Sequence, residues 1–237
     1  MSTLSGGPNV VLDGLVLWLD AANTKSYVSG STTWSDISRS QLSTTTLSVG
    51  TTYTSSFNGA LATNGAVNIV IPFILDTSTN YTIEVAAISY TMISESSPST
   101  RQTVWSFISG SSQGYQLLDL EIWNDGITSF NGNNTLFATP LVQGLVPLGS
   151  NRIKTYTLSK SGTTQSWYIN GALRTSVTQT YTGSSEYFKL GSRGSTPTGI
   201  NQGWVGAFPS AKIYNRALTA SEVLQNYNAV KSRFGLT

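Results

Sequence analysis

Two carboxylates lie close together in a strand-like segment of the sequence, residues 115–123. Asp119 and Glu121 are two positions apart, so both point to the same face of a β-strand. A carboxylate pair can hydrolyse glycosides when one member acts as a proton donor. The same face also carries Tyr115 and Trp123, so it could instead bind a sugar, with rings stacking on its apolar side and carboxylates accepting hydroxyls. A solvated or interface face of mixed residues is the third interpretation.

The composition narrows the catalytic options. The chain of 237 residues has no histidine and no cysteine, which excludes Ser-His-Asp and Cys-His nucleophile systems. Zinc would have to bind through carboxylates alone, and calcium prefers six to eight oxygens from several neighbouring acidic groups. The 11 acidic residues are instead spread along the chain. We therefore predict no catalytic residues, no metal site, no cofactor and no enzymatic activity.

Charge and hydropathy also limit the partners. Charged residues are only 10% of the chain, the formal net charge is +2, and no run of lysine and arginine marks a nucleic-acid-binding patch. No apolar stretch approaches the roughly 20 residues of a membrane span. The opening residues 1–9 lack the basic region of a signal peptide, so we expect a protein made in a cytoplasm and not exported.

Short alternating or apolar runs separated by Gly, Ser, Asn and Thr predict many β-strands. This pattern is typical of an all-β sandwich, and a sandwich of this length is routinely one domain. We expect a single domain over residues 11–237, preceded by an arm over residues 1–10. The predicted strands are residues 15–19, 68–73, 81–90, 104–108, 115–123, 155–159, 165–169, 187–190 and 207–214.

Two local patterns are stronger than the rest. Asn170-Gly171 joins two strand-like runs and suits a type I′ hairpin, in which both turn residues have positive φ. Near the C-terminus, Thr219 and Glu222 have the spacing of a capping box. The apolar residues after that box recur at helical spacing, and Gly235 then favours the end of the helix. We expect this helix to lie across an edge of the sandwich.

The tryptophans and two aspartates have mostly structural interpretations. We expect four tryptophans in the core because they lie within or beside strand patterns: Trp18, Trp34, Trp105 and Trp167. Trp204 lies in the glycine-rich segment 199–206 and is the best candidate for an exposed aromatic contact. Asp20 and Asp36 suit turns, where an aspartate accepts hydrogen bonds from nearby backbone N–H groups.

Motifs along nearly the whole chain resemble laminin-G-like modules of the concanavalin A-like lectin/glucanase superfamily. The matching stretches are residues 14–23 (GLVLWLDAAN), 34–38 (WSDIS), 57–59 (FNG), 167–171 (WYING), 189–193 (KLGSR) and 213–236, which opens with IYNRALT. Their order and spacing carry the resemblance. It implies a jelly-roll sandwich of two antiparallel sheets with one short C-terminal helix, and it implies little about function.

The chain departs from that superfamily where its functional groups would lie. Glucanases carry a Glu-x-Asp-x-x-Glu or Glu-x-Asp-x-Glu pattern, but the last position here is Asn124 or Trp123, and neither side chain can donate the proton. Many relatives have Asp after the Phe of the Phe-x-Gly motif, where this chain has Asn58. The resemblance therefore implies neither a hydrolase nor a calcium site.

The opening and closing motifs also resemble those of tailed-phage virion proteins. From this resemblance and the uncharged surface we expect a non-enzymatic virion structural protein, such as a capsid decoration protein. Its partners would be other virion proteins and copies of itself, and it would be located on the virion surface. The alternative is a carbohydrate-binding module for host attachment that uses Tyr115, Asp119, Glu121, Trp123 and Trp204.

Overall fold

The structure is a computed structural model. It describes residues 9–41, 44–90, 102–108, 116–123, 126–128, 130–131, 135–136, 152–178, 183–185, 187–193, 199–200 and 202–236. Tyr115 therefore lies outside the described residues, as do residues 1–8 of the predicted N-terminal arm. Among the described helices, none is long and apolar enough to cross a membrane.

The larger of the two main sheets has eight strands, and its neighbouring strands are antiparallel. The order across it is β15 (Ala172–Thr178), β14 (Thr164–Ile169), β13 (Arg152–Ser161), β7 (Tyr81–Ser89), β17 (Val205–Tyr214), β5 (Ala60–Asn64) and β4 (Thr52–Thr54). The eighth strand, β1 (Leu15–Asp20), also pairs with β17. The first and last long strands of the chain are therefore neighbours.

The smaller sheet has seven strands and contains the segment with the two carboxylates. Its order is β12 (Thr135–Leu136), β11 (Phe130–Asn131), β9 (Gln116–Trp123), β8 (Gln102–Ile108), β16 (Tyr187–Leu190) and β6 (Ile69–Ile71), with β10 (Gly126–Thr128) also paired to β9. A separate pair joins β2 (Thr33–Ser35) to β3 (Thr44–Thr46).

One hydrophobic core joins the inner faces of the two sheets. Ile83 and Val85 from the larger sheet belong to the same buried cluster as Phe107, Leu118 and Leu120 from the smaller sheet. The intervening residues point outward, as the period of two requires. The predicted all-β, two-sheet antiparallel sandwich is confirmed. Trp34, Trp105 and Trp167 are buried as expected, whereas Trp18 is half-buried.

The predicted hairpin and helix are both present. Asn170 and Gly171 have φ of 51° and 75°, and they join β14 to β15. Helix α1 (Ala220–Lys231) begins with the capping box between Thr219 and Glu222. A 3₁₀ turn follows, and Gly235 ends it in the left-handed conformation.

Helix α1 covers the outer face of the larger sheet, so the expectation that it lies across an edge of the sandwich is wrong. Val223 packs with Tyr168 and Tyr214, and Val230 packs with Ile88 and Ile153. The helix thus supplies a second, smaller core on the outer face of the larger sheet, whereas the carboxylate pair lies on the outer face of the smaller sheet.

Candidate functional site

The outer face of the smaller sheet carries an ionic cluster built on three adjacent strands. Asp119 and Glu121 lie on β9, where they alternate with Leu118, Leu120 and Ile122 of the core. Asp119 is opposite Ser106 of β8, and Ser106 is opposite Lys189 of β16. This register places the charged and hydroxyl side chains in one row across the sheet.

Arg193 contacts both carboxylates. Its Nη1 donates to Glu121 Oε1 at 3.2 Å, and its Nε lies 3.7 Å from Asp119 Oδ2. Both carboxylate side chains are 0% exposed, whereas the Arg193 side chain is 11% exposed. Ions removed from water need close partners because desolvation is costly. From the surface, a ligand would therefore meet the guanidinium first.

Lys189 is the second cation of this face. It is fully buried, and its Nζ donates to Gly199 O at 2.6 Å. Burial lowers the pKa of Lys189 to about 8 because the charged form is poorly solvated there. Lys189 thus ties Gly199 to the sheet.

One hydroxyl and one backbone N–H connect β8 to Ser192 and Gln202, which precede β17 in the chain. Ser106 Oγ donates to Ser192 O at 2.8 Å, and Thr103 N donates to Gln202 O at 2.8 Å. Thr103, opposite Glu121 in the register, is also fully buried. These internal hydrogen bonds therefore fix the strand beside the cluster to the chain that leads into β17.

A family model matches residues 64–224, which hold most of the strands of both sheets and this cluster. The model describes concanavalin A-like lectin and glucanase domains of the laminin-G type. The chain belongs to the concanavalin A-like lectin/glucanases superfamily. No curated protein matches the chain in sequence.

Solved structures share the fold at low sequence identity. A Trypanosoma rangeli sialidase in complex with sialic acid is 15% identical, with a TM-score of 0.67 over 95% of this chain and 36% of the sialidase chain. The binding domain of Paraclostridial Mosquitocidal Protein 1 is 13% identical, with a TM-score of 0.66 over 94% of this chain and 55% of that one. The chain thus spans about a third of the sialidase and about half of the toxin domain.

A third structure matches at full length. It is domain 4 of AbnA, a GH43 extracellular arabinanase from Geobacillus stearothermophilus, in complex with arabinotriose. It is 16% identical, with a TM-score of 0.64, over 92% of this chain and 100% of that one. At such identities the likeness concerns the fold of the superfamily, and function has to be argued from the site.

The structure brings together two of the five sugar-binding residues suggested by the sequence. Asp119 and Glu121 share a face as predicted, but the expectation that this face is open is wrong for them, because Arg193 and the strands beside them bury both groups. Trp123 ends β9, and its side chain is not described. Tyr115, as noted, lies outside the described residues.

The expectation that Trp204 is an exposed aromatic is wrong. Its side chain is 1% exposed, and its Nε1 donates to Ile88 O at 3.1 Å. The ring packs against Phe208, at a centroid distance of 6.1 Å. Glycines surround Trp204 because Gly203 and Gly206 lie too close to neighbouring backbone for a Cβ, and not because the segment is an open loop.

Arg193 and Lys189 are the site residues that the sequence did not nominate. Both belong to the stretch 189–193, which supports the superfamily resemblance. Their partnership with β9 depends on β8 lying between β9 and β16. The sequence shows a lone arginine directly after one strand and two acids on one face of another strand. It does not show that these residues meet.

The aspartates of the opening motifs have the predicted turn roles. Asp20 Oδ1 accepts from Ala22 N, and Asp36 Oδ1 accepts from Trp18 N and Ser38 N. Asp20 also forms an ion pair with Arg233 at 2.7 Å. These motif residues thus connect the two ends of the domain. Among the described residues, no group of three or more acidic side chains is placed to hold a metal ion.

Proposed function

We propose that this chain is a non-enzymatic carbohydrate-binding module that uses the outer face of the smaller sheet. The observation that carries the proposal is the ionic cluster of Asp119, Glu121 and Arg193 on that face. A sheet face needs no buried charges for folding, and apolar replacements of buried ion pairs are often equally stable. A guanidinium that two buried carboxylates hold in a fixed position at the surface suits the hydroxyls of a sugar.

The full-length structural match supports this proposal. The structure of domain 4 of the arabinanase is in complex with arabinotriose, and this chain covers that domain completely. The mosquitocidal protein is matched over a domain described as its binding domain. Both comparisons favour an accessory domain that binds a ligand over one that catalyses a reaction.

The cluster does not suit glycoside hydrolysis. Such a reaction needs one carboxyl that holds a proton and a second carboxylate placed across the scissile bond. Here one guanidinium contacts both carboxylates, and Asn124 follows β9 where the related glucanases have their last acid. We therefore expect no reducing sugar to be released from a panel of glucans, arabinans and sialylated oligosaccharides.

A glycan array followed by titration calorimetry tests binding, with Arg193→Lys as the informative variant. Lysine keeps the positive charge beside the carboxylates but loses the planar fork of donors. We expect affinity for the array hits to fall at least tenfold. Arg174→Lys is the matched control, because Arg174 is exposed on the opposite sheet. Equal effects of the two variants, or an array without hits, would contradict the proposal.

A second candidate function is that of a virion surface protein. The small number of charged side chains favours it. Among the residues that the structure describes, three lysines and five carboxylates are buried. Charged residues are only 10% of the chain, so few ions need to be desolvated in a protein contact. The buried charged residues are Lys160, Lys189, Lys212, Asp20, Asp36, Glu84, Asp119 and Glu121.

Cosedimentation with phage particles separates this candidate from the first. A decoration protein would sediment with capsids, and deletion of residues 1–10 would weaken that binding if the arm contacts a neighbour. The deleted chain has to keep its circular dichroism spectrum. A protein that binds glycans and never sediments with particles would leave the carbohydrate-binding module as the only candidate.

A further inference from the structure

A lysine, a glutamate and an asparagine are buried together between the larger sheet and helix α1. Lys212 on β17 and Glu84 on β7 are opposite each other in the sheet register. Asn226 projects onto them from the helix. The three residues are 1%, 3% and 0% exposed, respectively. None of them is part of the cluster on the smaller sheet.

One carboxylate links the amine to the amide. Lys212 Nζ lies 2.5 Å from Glu84 Oε1, and Asn226 Nδ2 donates to Glu84 Oε2 at 3.2 Å. The other side of the amide is also held, because Val11 N donates to Asn226 Oδ1 at 2.9 Å. Asn226 Nδ2 further donates to Tyr214 Oη at 2.9 Å. The backbone N–H of Val11 thus determines which end of the amide faces the carboxylate.

We propose that Lys212 and Asn226 form an intramolecular isopeptide bond, with Glu84 as the proton-transfer group. Glu84 accepts a proton from the Lys212 ammonium, and the freed amine attacks Cγ of Asn226. The Nζ–Cγ bond forms, the Cγ–Nδ2 bond breaks, and Nδ2 leaves as ammonia with a second proton from Nζ, relayed by Glu84. The third Nζ hydrogen stays on the new amide, and Glu84 ends protonated.

The surroundings assist each step. A buried ion pair pays a desolvation cost that disappears when lysine and glutamate become neutral. The Val11 N–H contacts the amide oxygen, where negative charge develops during attack, as a donor in an oxyanion hole does. Burial raises the pKa of Tyr214 well above its usual value, so its hydroxyl stays neutral beside the leaving nitrogen. The reaction needs no metal, oxidant or other reactant.

The bond would join the last strand of the sandwich to the C-terminal helix. Lys212 and Asn226 are connected by a short loop through Arg216 and Thr219, so the link closes a small ring in the chain. Its main consequence is local, because helix α1 could no longer separate from β17. This role is independent of carbohydrate binding at the opposite sheet.

Intact-mass spectrometry of the full chain tests the proposal. We expect a mass lower than that of the sequence by one ammonia, and a branched peptide whose fragments place the link between Lys212 and Asn226. Lys212→Arg keeps a cation beside Glu84 but removes the attacking amine, so this variant should have the full mass. Glu84→Gln should slow or abolish the loss, and Lys160→Arg, which changes another buried lysine, should retain it.

The controls separate this bond from succinimide formation, which also releases ammonia. Asn170-Gly171, Asn58-Gly59 and Asn64-Gly65 are the described Asn-Gly steps where a succinimide forms most readily. An ammonia loss that persists in Lys212→Arg would assign the reaction to such a step and overturn the proposal. A parent chain with the full sequence mass would overturn it as well.

Discussion

Arg193 is the residue on which the charge balance of the smaller sheet depends. Its guanidinium contacts the two fully buried carboxylates, Asp119 and Glu121. Breaking a buried ion pair by removing one partner is much more destabilising than removing both partners. A buried cluster of this kind therefore predicts that a single substitution lowers the free energy of unfolding more than a combined substitution that removes all its charges.

Arg193→Gln should lower the free energy of unfolding by roughly 3–5 kcal/mol, because it leaves two buried carboxylates without their guanidinium. Urea denaturation measures the change. The triple variant with Asp119→Asn and Glu121→Gln should recover part of the loss, since no charge then remains unpaired. Equal stability of the single variant and the parent would show that solvent screens this cluster.

At the scale of elements, the contact between the β14–β15 hairpin and helix α1 depends on a glycine. Gly171 has φ of +75°, and a Cβ there would lie 2.9 Å from Tyr227 Cβ. Gly162, in the preceding turn, has φ of +58° and no atom within 4 Å of an added Cβ. The two turns therefore share a backbone conformation but differ in packing.

Gly162→Ala should cost about 1–2 kcal/mol, the usual penalty for a left-handed alanine. Gly171→Ala should cost a further 1–3 kcal/mol or so, because the added methyl group overpacks the contact with the helix. Thermal unfolding of the two variants compares them directly. Equal losses would mean that the helix moves away from the hairpin without cost.

The N-terminal cap of helix α1 makes stability depend on pH. Hydrogen bonds from Arg216, and then from Thr219, lower the pKa of Glu222 from 4.5 to about 2. A carboxyl with a depressed pKa in the folded state stabilises the protein above its unfolded pKa, and this contribution is lost as the pH falls. The relevant window runs from pH 4.5 down to about 2.

Glu222→Gln should therefore lower the melting temperature most at pH values above 4.5, where the parent carboxylate is ionised in both states. The difference between variant and parent should shrink as the pH approaches 2. Melting curves over this range measure it. A difference that stays constant with pH would show that the ion pair with Arg216 contributes nothing to stability.

For the whole molecule, we expect stability without disulfides or bound metal. The chain has no cysteine, and the sandwich is held by one large core between its sheets together with a smaller one beneath α1. Reducing agents and EDTA should leave the melting temperature unchanged. A fall of several degrees in EDTA, reversed by calcium, would reveal a metal site.

The features that the sequence by itself determined are local. Alternation of apolar and polar residues predicts strands such as β7 and β9, and the pairs Asn170-Gly171 and Thr219/Glu222 predict the hairpin and the helix start. In each case the backbone conformation depends on residues within a few positions of one another. The local pattern is therefore sufficient to predict it.

Only the tertiary structure decided which of these side chains meet and which are buried. Arg193 lies 72 positions from Glu121, and Lys212 lies 128 positions from Glu84. Such pairs depend on strand order, which local spacing does not encode. The burial of Trp204 could not be predicted locally either. A glycine-rich sequence suits both an exposed loop and a close approach of two backbones. Burial follows from what packs on a segment, and the packing partners come from distant parts of the chain.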